Sequence, residues 1–174
     1  MKGRNVRSHA VNAPSTARAV PPDGLQNIDQ TLTRMRLVIR KRTIGRMAIA
    51  KVTPGLDVSH LDVLEAMRIL GEEGAEVTVG AIADTMRMDP SRGSRMVAEL
   101  VSRGILERAV SQADARRSIV KRTPLGDTLL REVRAVKQAL VAEVLSGWTE
   151  EEVTVFAGLF ERFTTGFEAA TAKG

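Results

Sequence analysis

Ser91, Arg92, Ser94 and Arg95 fall at spacings that put them on one side of an α-helix, opposite Met96, Val97 and Leu100. Hydroxyls and guanidinium groups hydrogen-bond phosphates and base edges, and an arginine fork fits O6 and N7 of guanine. That is recognition chemistry. The plainer alternative is a solvated helix face, since arginines on exposed faces are common. Nothing nearby makes or breaks bonds. There is no activated nucleophile, phosphate-cradling glycine loop or metal-ligand spacing, and the two histidines, His9 and His60, sit in unrelated settings. The chain has no cysteine, so disulfides, thiolate zinc and iron–sulfur clusters are excluded. No enzyme, metal or cofactor is expected.

The elements that carry these residues follow from local signals. Asp89-Pro90 is an N-cap carboxylate followed by proline at the first helical position, and Gly104 is a C′ glycine. Before it, Thr78 caps a short helix through Met86. Two helices joined by so short a turn make a helix-turn-helix. Ile105–Val110 and Ser118–Arg122 then alternate as strands around a polar turn, so a β-hairpin follows the second helix. A hairpin in that place makes a winged helix. Upstream, Ile28, Leu32, Met35 and Ile39 recur on one face of a helix expected to run to about Ala50. Asp57 is expected to cap the next helix, whose stripe is Val63, Leu64, Met67 and Leu70. Downstream, Thr123-Pro124 opens a helix with Leu129, Val133, Val136, Leu140 and Val144. Thr149 to Glu152 is a capping box for the last helix, with Phe156, Leu159, Phe160, Phe163 and Phe167 on one face.

Charge and aromatic residues are unevenly spread. Net charge is +5 over 174 residues, and the pI is near 10.2. Residues 1–20 carry Lys2, Arg4, Arg7 and Arg18 and no acid, and the polar, proline-bearing residues 1–24 are read as a flexible basic arm. Arg34 to Lys51 holds seven basic residues and no carboxylate. A polyanionic partner fits this pattern. All five aromatics, Trp148 and the four phenylalanines, fall in the last 27 residues, which suits a surface made to pack on something large. No apolar run approaches a membrane span and no secretory leader is visible, so a soluble cytoplasmic protein without a membrane partner is expected.

In motif order and spacing, residues 56–126 resemble the MarR family of winged-helix transcriptional regulators. The residues that carry the likeness are Leu56-Asp-Val-Ser-His-Leu-Asp-Val-Leu64, Ile82-Ala83, Asp89-Pro90-Ser91, Arg95-Met96-Val97 with Leu100, Arg103 to Arg108, Asp114-Ala-Arg116 and Thr123-Pro-Leu-Gly126. There are three departures. Ala115 stands where the family usually has a second arginine, Arg122 where it has leucine, and Gly93 where it has an apolar residue.

The resemblance implies a mainly α fold with a small hairpin wing. It divides the chain into the arm (1–24), an N-terminal dimerisation helix (25–55), the winged helix-turn-helix (56–122) and C-terminal dimerisation helices (123–174). It implies a homodimer built on Ile28, Leu32, Phe156, Phe160, Phe163 and Phe167. The partner is a pseudo-palindromic double-stranded DNA operator. Thr78, Ser91, Arg92, Ser94, Arg95, Asp114, Arg116 and Arg117 would contact it, with Arg116 in the minor groove and Asp114 bracing an arginine at the wing tip. For Thr78 the alternative is a simple N-cap; for the wing, a polar hairpin tip. The family also binds small phenolic or carboxylate effectors. Arg42, Arg46 and His60 are the candidates here, against the alternative of a basic helix end and a structural histidine. The expected function is a repressor released by such a ligand. The competing reading is a winged-helix nucleoid-type protein that binds nucleic acid without sequence preference.

Overall fold

A computed structural model describes residues 21–74, 76–111, 114 and 116–172. The elements run α1 (Pro22–Arg40), α2 (Thr43–Val52), α3 (His60–Glu72), α4 (Val79–Thr85), α5 (Pro90–Ser102), β1 (Leu106–Val110), β2 (Ser118–Arg122), α6 (Pro124–Leu145) and α7 (Glu150–Thr171). The mainly helical fold with a two-stranded antiparallel wing is the expected one. The chain divides into two compact units between Lys41 and Arg42.

In the first unit, α1 opens earlier than the apolar periodicity suggested. Pro22 occupies its first turn, where a missing N–H leaves no bond unmade. Helix therefore replaces the last residues of the expected arm; residues 1–20 lie outside the described residues. None of the helix is buried: Ile28 is 43% exposed and Leu32 38%.

The second unit begins with a break that no glycine or proline announces. The helix expected to reach Ala50 unbroken is two helices, because Arg42 turns left-handed at φ 50°. Its guanidinium donates to Asp62 Oδ2 at 2.9 Å and to the Val58 carbonyl at 3.5 Å. Contacts distant in sequence override helix propensity here. Beyond the break, Ala48 and Ile49 of α2 enter the core, and Lys51 donates to Glu132 of α6 at 2.6 Å.

The core itself joins Leu64 (α3), Ile82 (α4), Val97 and Leu100 (α5), Ile105, Leu106 (β1) and Leu129 (α6), each at most 1% exposed. Asp57 does not cap α3. It accepts the Ser59 N–H at 2.8 Å and so closes a turn, and the helix begins at His60. Along α6 the stripe leaves the core: Leu129 and Val136 are buried, Val133 and Leu140 partly so, and Val144 is exposed. Thr149 and Glu152 close a reciprocal capping box on α7. No residue of α7 is buried. Its phenylalanines are 38–52% exposed and meet one another along the helix, with Phe156 and Phe160 stacked at 5.5 Å and Phe163 and Phe167 at 6.0 Å.

Candidate nucleic-acid interface

The helix-turn-helix is built from α4 and α5. Thr78 Oγ1 accepts the Ala81 N–H at 3.1 Å, so Thr78 is an N-cap whatever else it does. Asp89 caps α5. Its Oδ1 accepts the N–H of Ser91 at 2.8 Å and of Arg92 at 3.2 Å, and the Ser91 hydroxyl donates to it as well. These bonds, with the Ser91 hydroxyl first, hold the carboxyl below its ordinary range and keep it ionised at the positive end of the helix.

Gly93 explains one departure from the family pattern. It is buried, and a Cβ at that position would lie 2.9 Å from the Cβ of Ala83. The glycine therefore lets α5 approach α4 closely. With Gly93, Met96, Val97 and Leu100 buried, the opposite face of α5 leaves Ser91, Arg92, Ser94 and Arg95 exposed, as the spacing requires. Arg95 folds back along the helix, its Nε donating to the Ser91 carbonyl at 3.3 Å.

The wing pairs Leu106 with Arg122 through to Val110 with Ser118. Among the described residues, Asp114 braces the tip through backbone amides and not through an arginine side chain. Its Oδ1 accepts the Arg116 N–H at 2.9 Å, and its carbonyl accepts the Arg117 N–H at 2.9 Å. Arg116 is exposed. Arg117 reaches back to Glu76 Oε2 at 3.1 Å, and the Ser111 hydroxyl donates to the other oxygen of the same carboxylate. Glu76 thus ties the wing to the segment leading into α4, where Val120 N–H also donates to the Val77 carbonyl at 2.8 Å. Arg122 accounts for a second departure: its Nε donates to Asp127 of α6 at 2.8 Å. Ala115 lies outside the described residues.

The three ligand candidates meet different surroundings. Arg42 is paired with Asp62, Arg46 is exposed, and His60 is buried. His60 Nδ1 lies 3.2 Å from the Asp57 carbonyl; Nε2 lies 3.1 Å from Glu99 Oε2, off the line of a good hydrogen bond. Arg42 and His60 both border the turn from Asp57 to Asp62. Asp57 is held below its usual range by hydrogen bonds from Ser59 and, less, by the charges of His60 and Arg42. An anion there would face carboxylates as well as cations.

Sequence reasoning missed the ties that fix α5. Glu99 faces His60, and Arg103 donates to Glu99 at 3.3 Å and to the Gly55 carbonyl at 3.1 Å. Glu76 was missed too. A single acid ahead of a capping threonine carries no signal until the hairpin folds beside it.

Residues 55–117 match the model of the MarR family. An HTH-type transcriptional regulator of Mycobacterium tuberculosis and an uncharacterised one of Mycobacterium bovis are each 33% identical over 92 residues, 53% of this chain. The match spans 64% of those relatives' length. A MarR family protein from Bacillus stearothermophilus has the same fold, with TM-score 0.67 at 20% identity, over 86% of this chain and 99% of that one. The YusO protein of Bacillus subtilis superposes with TM-score 0.61 at 25% identity, over 84% and 99%. Helix order and the hairpin behind α5 agree with the match over the helix-turn-helix: the chain has the fold of MarR family structures, and its residues 55–117 are similar to that family.

Proposed function

We propose that this protein is a sequence-specific DNA-binding transcriptional regulator of MarR type, acting as a homodimer on a pseudo-palindromic operator. The observation that carries the reading is the division of α5. One face is locked into the core through Gly93, Met96, Val97 and Leu100, and the other offers Ser91, Arg92, Ser94 and Arg95 to solvent at the capped end. That arrangement suits a helix lying in a major groove with its first turns on base edges. Arg116 at the exposed wing tip is suited to a narrow minor groove. Thr78 and Arg117 are suited to phosphates, Arg117 by exchanging Glu76 for the DNA backbone. Asp114 then shapes the tip and makes no DNA contact.

Dimerisation completes the reading. Helices α1 and α7 each expose an apolar stripe, with Ile28 and Leu32 on one and Phe156, Phe160, Phe163 and Phe167 on the other. A symmetric pair would present two copies of α5 about one DNA turn apart. Repression relieved by a small aromatic or anionic ligand is the finer part of the proposal. It rests most on Arg46, which is exposed and, among the described residues, is not held in an ion pair as Arg42 is.

The test is selection of bound sequences from random duplex DNA, followed by competition against a scrambled duplex. The expected result is a two-fold-related motif, bound with steep salt dependence and preferred over the scrambled duplex by roughly 10³-fold or more. Equal affinity for both would overturn sequence readout and favour the nucleoid-type reading, which the basic run from Arg34 to Lys51 suits. The ligand part is tested by adding aromatic acids to the complex, where undiminished binding counts against release.

A further inference from the structure

Two helices of the winged-helix unit close with the same hydrogen bonds. After α4, the Arg87 N–H donates to the Asp84 carbonyl and the Met88 N–H to the Ala83 carbonyl, both at 3.0 Å. After α5, the Gly104 N–H donates to the Val101 carbonyl and the Ile105 N–H to the Leu100 carbonyl, both at 2.9 Å. Such a closure puts a left-handed residue just past the helix, a position that glycine fills most often. Gly104 fills it at φ 69°, and Gly74 is left-handed in the same way after α3, at φ 72°. After α4 the residue is Arg87, at φ 50°. A side chain there sets Cβ against the next carbonyl oxygen, which disfavours the conformation for every residue but glycine.

Arg42 is the other left-handed non-glycine residue among those described. Its strain has an internal counterpart in the ion pair with Asp62 and the bond to the Val58 carbonyl. Arg87 is exposed, and among the described residues its guanidinium has no ion pair and no hydrogen bond. The acids of its own turn do not engage it: Asp89 is taken up by the Ser91 and Arg92 amides, and Asp84 is exposed. Arg87 stands in the turn after α4, two residues ahead of the Asp89 cap of α5, the helix whose first turn carries Ser91 and Arg92.

We propose that Arg87 is a phosphate contact of the helix-turn-helix turn: an arginine held in a glycine position so that its charge meets the DNA backbone beside the bases read by α5. The inference rests on the DNA-binding reading above and adds to it a residue that neither the motif nor the exposed face of α5 indicates.

The experiment uses the full chain and its R87G and R87K variants. It measures binding to the wild-type-selected operator between 50 and 200 mM salt, together with thermal unfolding. R87G relieves the strain, so its Tm should rise by about 2–4 °C. The same variant should bind the operator more weakly, and the slope of log K against log salt should flatten by roughly one per protomer. R87K should keep the slope and gain no Tm. An unchanged slope in R87G overturns this role for Arg87 and leaves the DNA-binding reading standing. A Tm of R87G that stays level or falls overturns the strain argument. A wild-type chain that binds no duplex overturns both readings.

Discussion

Helices α5 and α7 are both amphipathic, both capped by a side chain at the N-terminus, and opposite in what they bury. Four residues of α5 are buried in its own chain; no residue of the longer, phenylalanine-rich α7 is. Apolar periodicity therefore reports that a helix has a partner, not that the partner is intramolecular. For α5 the partners are α4, approached through a glycine, and then β1 and α3. For α7 the rings lie against one another along the helix and stay open to solvent. Burying a phenylalanine stabilises by about 1.5–3 kcal/mol. Four such rings per chain are a strong incentive for a second copy to cover them.

This contrast can be broken at either end. Leu100→Ala, at the buried face of α5, should destabilise the chain by about 2–5 kcal/mol, because the residue is fully enclosed and its removal leaves a cavity. Denaturant unfolding measures this, and a loss within about 0.5 kcal/mol of wild type, the range of ordinary surface changes, would mean that the site is not core. Phe160→Glu, on α7, should act on assembly instead. Sedimentation should show single protomers, and operator affinity should fall by about 10²-fold or more as two linked half-site contacts become one. If Phe160→Glu remains a dimer with full affinity, the α7 stripe is not the assembly surface.

Gly93→Ala tests how α5 is seated. The new methyl would meet the Ala83 Cβ, which has no rotamer to yield with. Overpacking of this kind costs about 1–3 kcal/mol, offset by roughly 1 kcal/mol from removing a helical glycine. A net loss of up to about 2 kcal/mol is expected, and Ala83→Gly in the same chain should recover most of it. Additive losses in that double variant would show that the two residues are not in contact.

What the sequence made legible was whatever is encoded locally. The caps Thr78, Asp89 and Thr149, the hairpin strands and the stripe of α5 all declare themselves within a few residues, and each matches its place in the fold. The exposed face of α5 was legible for the same reason. Features set by distant contacts were not. The left-handed break at Arg42 depends on Asp62, twenty residues away, and the orientation of Arg117 depends on Glu76, forty-one residues back. The seating of Gly93 depends on a helix that the sequence can name but not position. Asp57 shows the same limit in miniature: its capping chemistry is real, but it closes a turn that precedes the helix.

The smallest expected effect lies at the Asp89 cap, and it is a matter of pH. Hydrogen bonds from Ser91 and Arg92 hold this carboxyl below its ordinary value, and the unfolded chain restores it to about 3.9. A depressed folded value means that ionised Asp89 contributes its stability above the unfolded value. That contribution is lost as pH falls through the folded one. Asn caps about as well as Asp without a charge. Asp89→Asn should therefore be slightly less stable than wild type at pH 7, where only the wild type sets a negative charge against the α5 dipole. The gap should close below about pH 4, as wild type protonates and the variant does not change. Because other acids are shifted down as well, Asp57, Glu65 and Glu152 among them, the informative quantity is the wild-type-minus-variant difference across an acid titration of unfolding. A difference that stays constant from pH 7 to pH 3 would mean that the Asp89 charge takes no part in capping α5.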